Sequence, residues 1–126
     1  MNDRSLARIN LDEQFAKKFA QEWVTAWNKH DLDEILAHYS EDFEMSSPVI
    51  RQLANEPSGI LRGKSAVRAY WARALAKFPD LHFELLNILV GANSLVIYYR
   101  GHRGLAAEVF FYNEQGKVNR AYAHYE

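Results

Sequence analysis

The sequence has 126 residues and a net charge of -1, with 48% apolar and 25% charged residues, which is the composition of one ordinary globular domain. This balance excludes disordered, fibrous and strongly basic nucleic-acid-binding chains, and no segment approaches the roughly 20 apolar residues of a membrane-spanning helix. The absence of cysteine excludes disulfides, thiol nucleophiles and cysteine-based zinc sites.

Residues 1–10 differ in pattern from the rest of the chain. They lack the apolar run of a signal peptide, and they precede the first periodic segment. We expect an N-terminal extension over residues 1–10, a single domain over 11–126, a cytoplasmic location, and no nucleic-acid or membrane partner.

Three segments have helical periodicity. Over residues 11–28, large apolar side chains recur every four residues and form one stripe: Leu11, Phe15, Phe19, Trp23 and Trp27. Asn10 and Glu13 have the spacing of an N-cap and its capping-box partner. Asp31 opens a second, shorter helix that stops near Ser40. A third helix is predicted over 64–78, where Pro79 ends it.

The remaining segments indicate strands. Residues 42–47 alternate and end at Pro48, and residues 49–63 form a connection with room for one helical turn. Alternation then continues over 81–90, 95–102, 105–112 and 118–125, separated by turn residues. A change of phase at Leu85 and Leu86 predicts a bulge. The fold class is therefore α+β, with three helices on one face of a largely antiparallel sheet.

Glu108 is the residue that most needs an explanation. It is the one acid in an otherwise apolar strand, residues 105–112, and alternate residues of a strand share a face. Both faces of this strand are apolar, so the strand alone does not fix the side on which Glu108 lies. The interpretations that stay open are an acid in a buried pocket and a structural glutamate, which would either pair with an Arg on the outer face of the sheet or hydrogen-bond to a Tyr or Trp.

The two flanking strands have clearer faces. One set is apolar and predicted to face the helices: Leu95, Ile97, Tyr99, Ala121, Ala123 and Tyr125. The other set mixes rings and charges and is predicted to face outward: Tyr98, Arg100, His102, Arg120, Tyr122 and His124. Surfaces rich in Tyr and Arg are typical of interfaces, so the outer set predicts a homodimer. Two outward histidines without a third ligand do not predict a metal site.

Three stretches resemble one known superfamily. They are residues 19–48, with Asn28-Lys29-His30-Asp31-Leu32 inside them, residues 61–71, and residues 113–118. The chain resembles the nuclear-transport-factor-2-like superfamily, in particular its SnoaL-like and ketosteroid-isomerase-like members. The resemblance implies a cone-shaped α+β domain with a pocket between the helices and a curved sheet, and dimerisation through the outer face of that sheet. It does not imply one activity, because the superfamily includes isomerases, dehydratases, cyclases, epoxide hydrolases and binding modules.

The positions that match the isomerases give a mixed picture. Trp23 stands where they have a hydrogen-bonding Tyr, and Trp71 matches a further ring. Ser47, before Pro48, stands where they have the Asp that acts as general base. Glu108, eight residues before Gly116, matches their second acidic position. Steroid-type isomerisation is therefore not implied, and the Asp-Arg-Asp set of the epoxide hydrolases has no clear counterpart either.

These observations predict a small-molecule pocket with Glu108 as its acid or base. The ligand is expected to be hydrophobic and oxygen-bearing, and the predicted contacts are Trp23, Tyr39, Met45, Ser47, Trp71, Tyr99, Phe110 and Tyr125. Burial among such residues raises the pKa of a carboxyl and suits it to proton transfer. No cofactor or metal is predicted. The alternative is a non-catalytic binding or dimerisation module of the same fold.

Overall fold

The computed structural model describes residues 11–126. The predicted extension and the proposed cap at Asn10 lie outside the described residues. Four helices are present among those residues: α1 (Glu13–Asn28), α2 (Leu32–Leu36), α3 (Ile50–Leu53) and α4 (Lys64–Lys77). The short α3 is the helical turn for which the connection had room.

The helix ends follow from local chemistry. Asp12 caps α1, because its Oδ1 accepts a 2.8 Å hydrogen bond from the backbone N–H of Phe15. Asp31 caps α2 as predicted and accepts from the N–H of Glu34 at 3.1 Å. The second helix is shorter than predicted, because the chain is already extended at Tyr39.

All six strands belong to one sheet with the order β2-β1-β6-β5-β4-β3. Neighbouring strands are antiparallel except β1 and β6, which are parallel. The strands are β1 (Tyr39–Ser46), β2 (Ile60–Arg62), β3 (Glu84–Val90), β4 (Ser94–Gly101), β5 (Gly104–Tyr112) and β6 (Val118–Tyr125). The α+β class and the largely antiparallel sheet are confirmed.

Two details of the sheet test the sequence patterns directly. The predicted bulge is present, because Leu85 pairs with Tyr99 while Asn87 pairs with Tyr98, which leaves Leu86 without a partner on β4. By contrast, β2 was not predicted. It has only three residues, too few for an alternating pattern to be recognised.

The helices pack on one face of the sheet and form the core there. Leu95, Ile97 and Tyr99 are buried on that face. The Trp23 ring of α1 lies 5.3 Å from that of Tyr99, and the Trp71 ring of α4 lies 5.3 Å from that of Tyr39. This is the cone arrangement, with the inner face closed by the helices. None of the described helices is long and apolar enough to cross a membrane.

One side chain fastens the end of α1 to the chain that leads into β3. The amide of Asn28 accepts from the N–H of Phe83 at 2.7 Å and donates to the carbonyl of Phe83 at 3.0 Å. These are the two bonds that a strand partner would make. They hold Phe83 against Trp23, whose ring stacks on it at 5.5 Å.

Candidate functional site

Glu108 lies on the inner face of the sheet. It pairs with Ile97 on β4 and with Ala123 on β6, and both partners belong to the face that the helices cover. Only 4% of Glu108 is exposed. The interpretation as a glutamate paired with an arginine on the outer face is therefore wrong.

The carboxyl group of Glu108 has one partner in the protein. The hydroxyl of Tyr99 donates a 3.1 Å hydrogen bond to its Oε1. Burial raises the pKa of Glu108 to about 7, and the bond from Tyr99 opposes this rise because it stabilises the carboxylate. At neutral pH the group therefore populates both its protonated and its ionised form.

Several tyrosine hydroxyls surround this carboxyl and stay neutral. Burial raises the pKa of Tyr39 and Tyr99 well above the usual value, and the nearby Glu108 adds to the effect. Burial likewise raises the pKa of Tyr70 to about 12, and it raises the pKa of Tyr125, although 36% of that residue is exposed. At neutral pH these hydroxyls can therefore form hydrogen bonds but carry no charge. Glu108 is the group in this cluster that titrates near neutrality.

A cavity of about 80 Å³ opens beside Glu108 between the helices and the sheet. A space of this size holds roughly five water molecules. Six of the predicted site residues line it together: Trp23, Met45, Trp71, Tyr99, Glu108 and Tyr125. Gly101 also lines it, and a Cβ there would approach the Tyr99 ring to 3.1 Å. A larger residue at that position would press on the ring that holds Glu108.

The three other predicted residues lie behind the cavity wall. Tyr39 accepts a 3.0 Å hydrogen bond from the indole of Trp23. Phe110 is fully buried and packs on Phe19 at 5.0 Å. Ser47 is 2% exposed, and its Oγ accepts from the N–H of Val49 at 3.1 Å and from the hydroxyl of Tyr70 at 3.5 Å. Their contact with a ligand stays a prediction.

The sequence patterns missed several residues of the cavity. Trp27 and Tyr70 come from helices and were not among the predicted contacts, because large rings on a helical stripe more often belong to the core. His102 was expected on the outer face, but β4 ends at Gly101, so His102 and Arg103 form the turn and line the cavity instead. Alternation does not apply beyond the end of a strand, because the backbone leaves the extended conformation there.

The residues proposed for a dimer interface already have contacts within the chain. Arg100 lies 3.5 Å from Glu84, the Arg120 guanidinium lies 4.3 Å from the Phe111 ring, and Tyr122 donates to Glu44 at 3.2 Å. The outer face also includes Tyr98, which is 37% exposed, and His124. In the part of the chain that the structure describes, no three His, Cys, Asp or Glu side chains are grouped so that they could hold a metal ion.

Solved structures with this architecture include one with high sequence similarity. A SnoaL-like protein of unknown function from Burkholderia thailandensis is 53% identical, with a TM-score of 0.89 over 94% of this chain and 99% of that one.

Two more distant structures share the fold alone. The epoxide hydrolase/cyclase-like enzyme SalBIII, which functions in pyran ring formation in salinomycin, is 19% identical, with a TM-score of 0.72 over 93% of this chain and 95% of its own. A Mycobacterium tuberculosis protein in complex with estradiol-17beta-hemisuccinate is 16% identical, with a TM-score of 0.69 over 89% and 94%.

The family assignment rests on the sequence itself. No curated protein gives a significant match to the chain. The family model of the SnoaL-like domain, however, matches residues 20–126, which is most of the chain and includes every element from the middle of α1 onward. The chain belongs to the SnoaL-like domain family, within the nuclear-transport-factor-2-like superfamily.

Proposed function

We propose that this protein binds a small, hydrophobic, oxygen-bearing molecule in the cone and that Glu108 transfers a proton to or from it. One observation carries the proposal: the buried carboxyl of Glu108 lines the cavity and has a pKa of about 7. Carboxyl groups with such a pKa are suited to general acid or base catalysis near neutrality.

The hydrogen bond from Tyr99 gives the two carboxyl oxygens of Glu108 different roles. Tyr99 occupies Oε1, so Oε2 is the oxygen available to a ligand. In its protonated form Glu108 donates to a carbonyl or hydroxyl oxygen of the ligand, and in its ionised form it accepts a proton from a neighbouring carbon. Isomerisation, dehydration and cyclisation each need such a proton transfer, which Glu108 can perform without a cofactor.

The structural relatives support a pocket function without specifying it. SalBIII is described as a cyclase-like enzyme, and the mycobacterial protein holds a steroid ester. At 19% and 16% identity they share the fold with this chain, and a shared fold does not imply a shared activity. They support the cone as a ligand site, whereas the type of reaction has to be inferred from the residues of this chain.

A non-catalytic binding module is the second candidate, and Ser47 favours it. Ser47 stands where the resemblance places the general base of the isomerases, and its hydroxyl is already engaged by Val49 and Tyr70. The indole of Trp23 is likewise engaged, with Tyr39. Of the polar positions matched to the isomerases, Glu108 is thus the one left for chemistry on a ligand.

One experiment distinguishes the enzyme from the binding module. The natural ligand is identified by mass spectrometry of the purified, denatured protein and is then added to the wild type and to a Glu108→Gln variant. The enzyme hypothesis expects ligand turnover by the wild type and its loss in the variant, with binding retained. Glu41→Gln, at an exposed position near Lys64, is the matched control and should behave as wild type. Binding without turnover by the wild type would establish the module instead.

A further inference from the structure

One positive charge near the cavity has no partner. Among residues 11–126, Arg103 is the one Lys or Arg whose charged group makes no hydrogen bond, ion pair or ring contact; every other such group has one. An arginine that is not held by the protein is free to bind an anion, and its planar fork matches a carboxylate.

Arg103 is exposed and lines the cavity, which places it at the mouth. It lies in the turn between β4 and β5 and lines the cavity together with Tyr70 and Tyr125. Its charge is close enough to these two hydroxyls to lower their pKa values against the effect of burial. The adjacent His102 is held differently, because its ring packs on Phe78 at 4.4 Å and its Nδ1 lies 4.0 Å from Asp80.

The two ends of the site therefore differ in chemistry. No other Lys or Arg of the described residues lines the cavity, and Glu108 lines it from β5. Gly104 and Glu108 are four residues apart on that strand, a Cα separation of about 13 Å. A second anion near Glu108 would be repelled by the ionised carboxylate, so the polarity of the site favours one anionic group, placed at the mouth.

We propose that the ligand is a short-chain carboxylic acid whose carboxylate binds Arg103 at the mouth and whose carbonyl or hydroxyl oxygen bonds to Glu108 inside. The cavity volume of about 80 Å³ limits the part of the ligand that lies inside it to a few non-hydrogen atoms, so the carboxylate of a short-chain acid stays at the open mouth. The Glu108 end of this ligand rests on the function proposed above. The Arg103 end rests on the unpaired charge and is tested separately.

Ligand binding can be followed by intrinsic fluorescence. The chain has three tryptophans, and all of them, Trp23, Trp27 and Trp71, line the cavity. Three probes of nearly equal size separate the two ends: 5-oxohexanoate, its neutral analogue 5-oxohexanamide, and hexanoate, which lacks the ketone. Titrations near pH 6 keep most of Glu108 protonated and able to donate.

We expect 5-oxohexanoate to bind about tenfold more tightly than 5-oxohexanamide. Arg103→Gln should abolish that difference while leaving the affinity for the amide unchanged, and Arg103→Lys should retain part of it. Arg68→Gln removes a charge that is paired with Asp33 on the helix surface, and it should leave the preference intact.

Three results would overturn the inference: equal binding of the acid and the amide, a preference for the acid that persists in Arg103→Gln, or no binding of any probe at the millimolar concentrations at which molecules of this size bind. The ketone reports on the other end of the ligand. If 5-oxohexanoate and hexanoate bind equally while the preference for acids depends on Arg103, the Glu108 contact is refuted and the Arg103 site stands.

Discussion

The hydroxyl of Tyr99 donates a 3.1 Å hydrogen bond to Glu108, and both side chains are almost fully buried. The two residues lie on neighbouring strands in a diagonal relation, because Tyr99 pairs with Ala106 and Glu108 with Ile97. The small side chain of Ala106 leaves space for the ring to reach along the strand. This relation engages one carboxyl oxygen of a residue that lines the cavity.

The ionisation of Glu108 should make folding stability depend on pH. Its pKa in the folded state is about 7, above the ordinary value of 4.5, so the folded state binds the proton more tightly than the unfolded state. The contribution is therefore favourable below about pH 4.5 and is lost as the pH rises to about 7. The difference in pKa corresponds to about 3 kcal/mol.

A Glu108→Gln variant isolates this effect, because glutamine is neutral at every pH while all other titrating groups are shared. Urea unfolding should give similar stabilities for the two proteins near pH 4.5, whereas the variant should be more stable by up to about 3 kcal/mol near pH 8. A stability difference that does not change with pH would contradict the buried titration.

Removing the hydroxyl of Tyr99 should raise the pKa of Glu108 above 7, because the bond from Tyr99 stabilises the carboxylate. Tyr99→Phe should also lower the free energy of unfolding by about 1 kcal/mol. The pKa can be followed from the carbon-13 NMR shift of the glutamate carboxyl during a pH titration. Tyr98→Phe changes an exposed ring on the other face and is the control; an equal shift in both variants would refute the assignment.

The amide of Asn28 should contribute measurably to stability. Asn28→Ala removes both hydrogen bonds to the backbone of Phe83 and leaves that backbone without its partners, so we expect a loss of about 2 kcal/mol in urea unfolding. Asn93→Ala, in an exposed turn, should cost less than about 0.5 kcal/mol. Equal losses would show that the Asn28 bonds contribute nothing specific.

The outer face of the sheet should mediate a homodimer, as we propose from its rings and charges. Tyr98 is exposed there, beside Val96 and Val109, which pair across β4 and β5. Tyr98→Glu places an unpaired charge at the centre of this surface and should shift the protein to a monomer in sedimentation velocity. Gln21→Glu on α1 is the control and should leave the dimer intact. A monomeric wild type would refute the proposal.

The helices, the bulge and the α+β class were predictable because each depends on short-range periodicity. Phe19, Trp23 and Trp27 recur on one face of α1 whatever they contact, and the change of phase at Leu85 and Leu86 requires an unpaired residue. The three stretches that carry the family resemblance lie, apart from Phe19, within residues 20–126, which the SnoaL-like model matches. These features depend on residues that are close in the sequence, so the spacing of apolar side chains is enough to predict them.

The side on which Glu108 lies, and its chemistry, were decided by the tertiary structure. Both faces of β5 are apolar, so the choice came from its neighbours: pairing with Ile97 and Ala123 turns Glu108 toward the helices. The pKa results from that burial. The place of Arg103 in the cavity lining also depends on long-range contacts, because the other lining residues come from helices and strands that are distant in the sequence. The sequence determined that an acid lies in this strand, and only packing determined that it lies beside a cavity whose mouth carries an unpaired arginine.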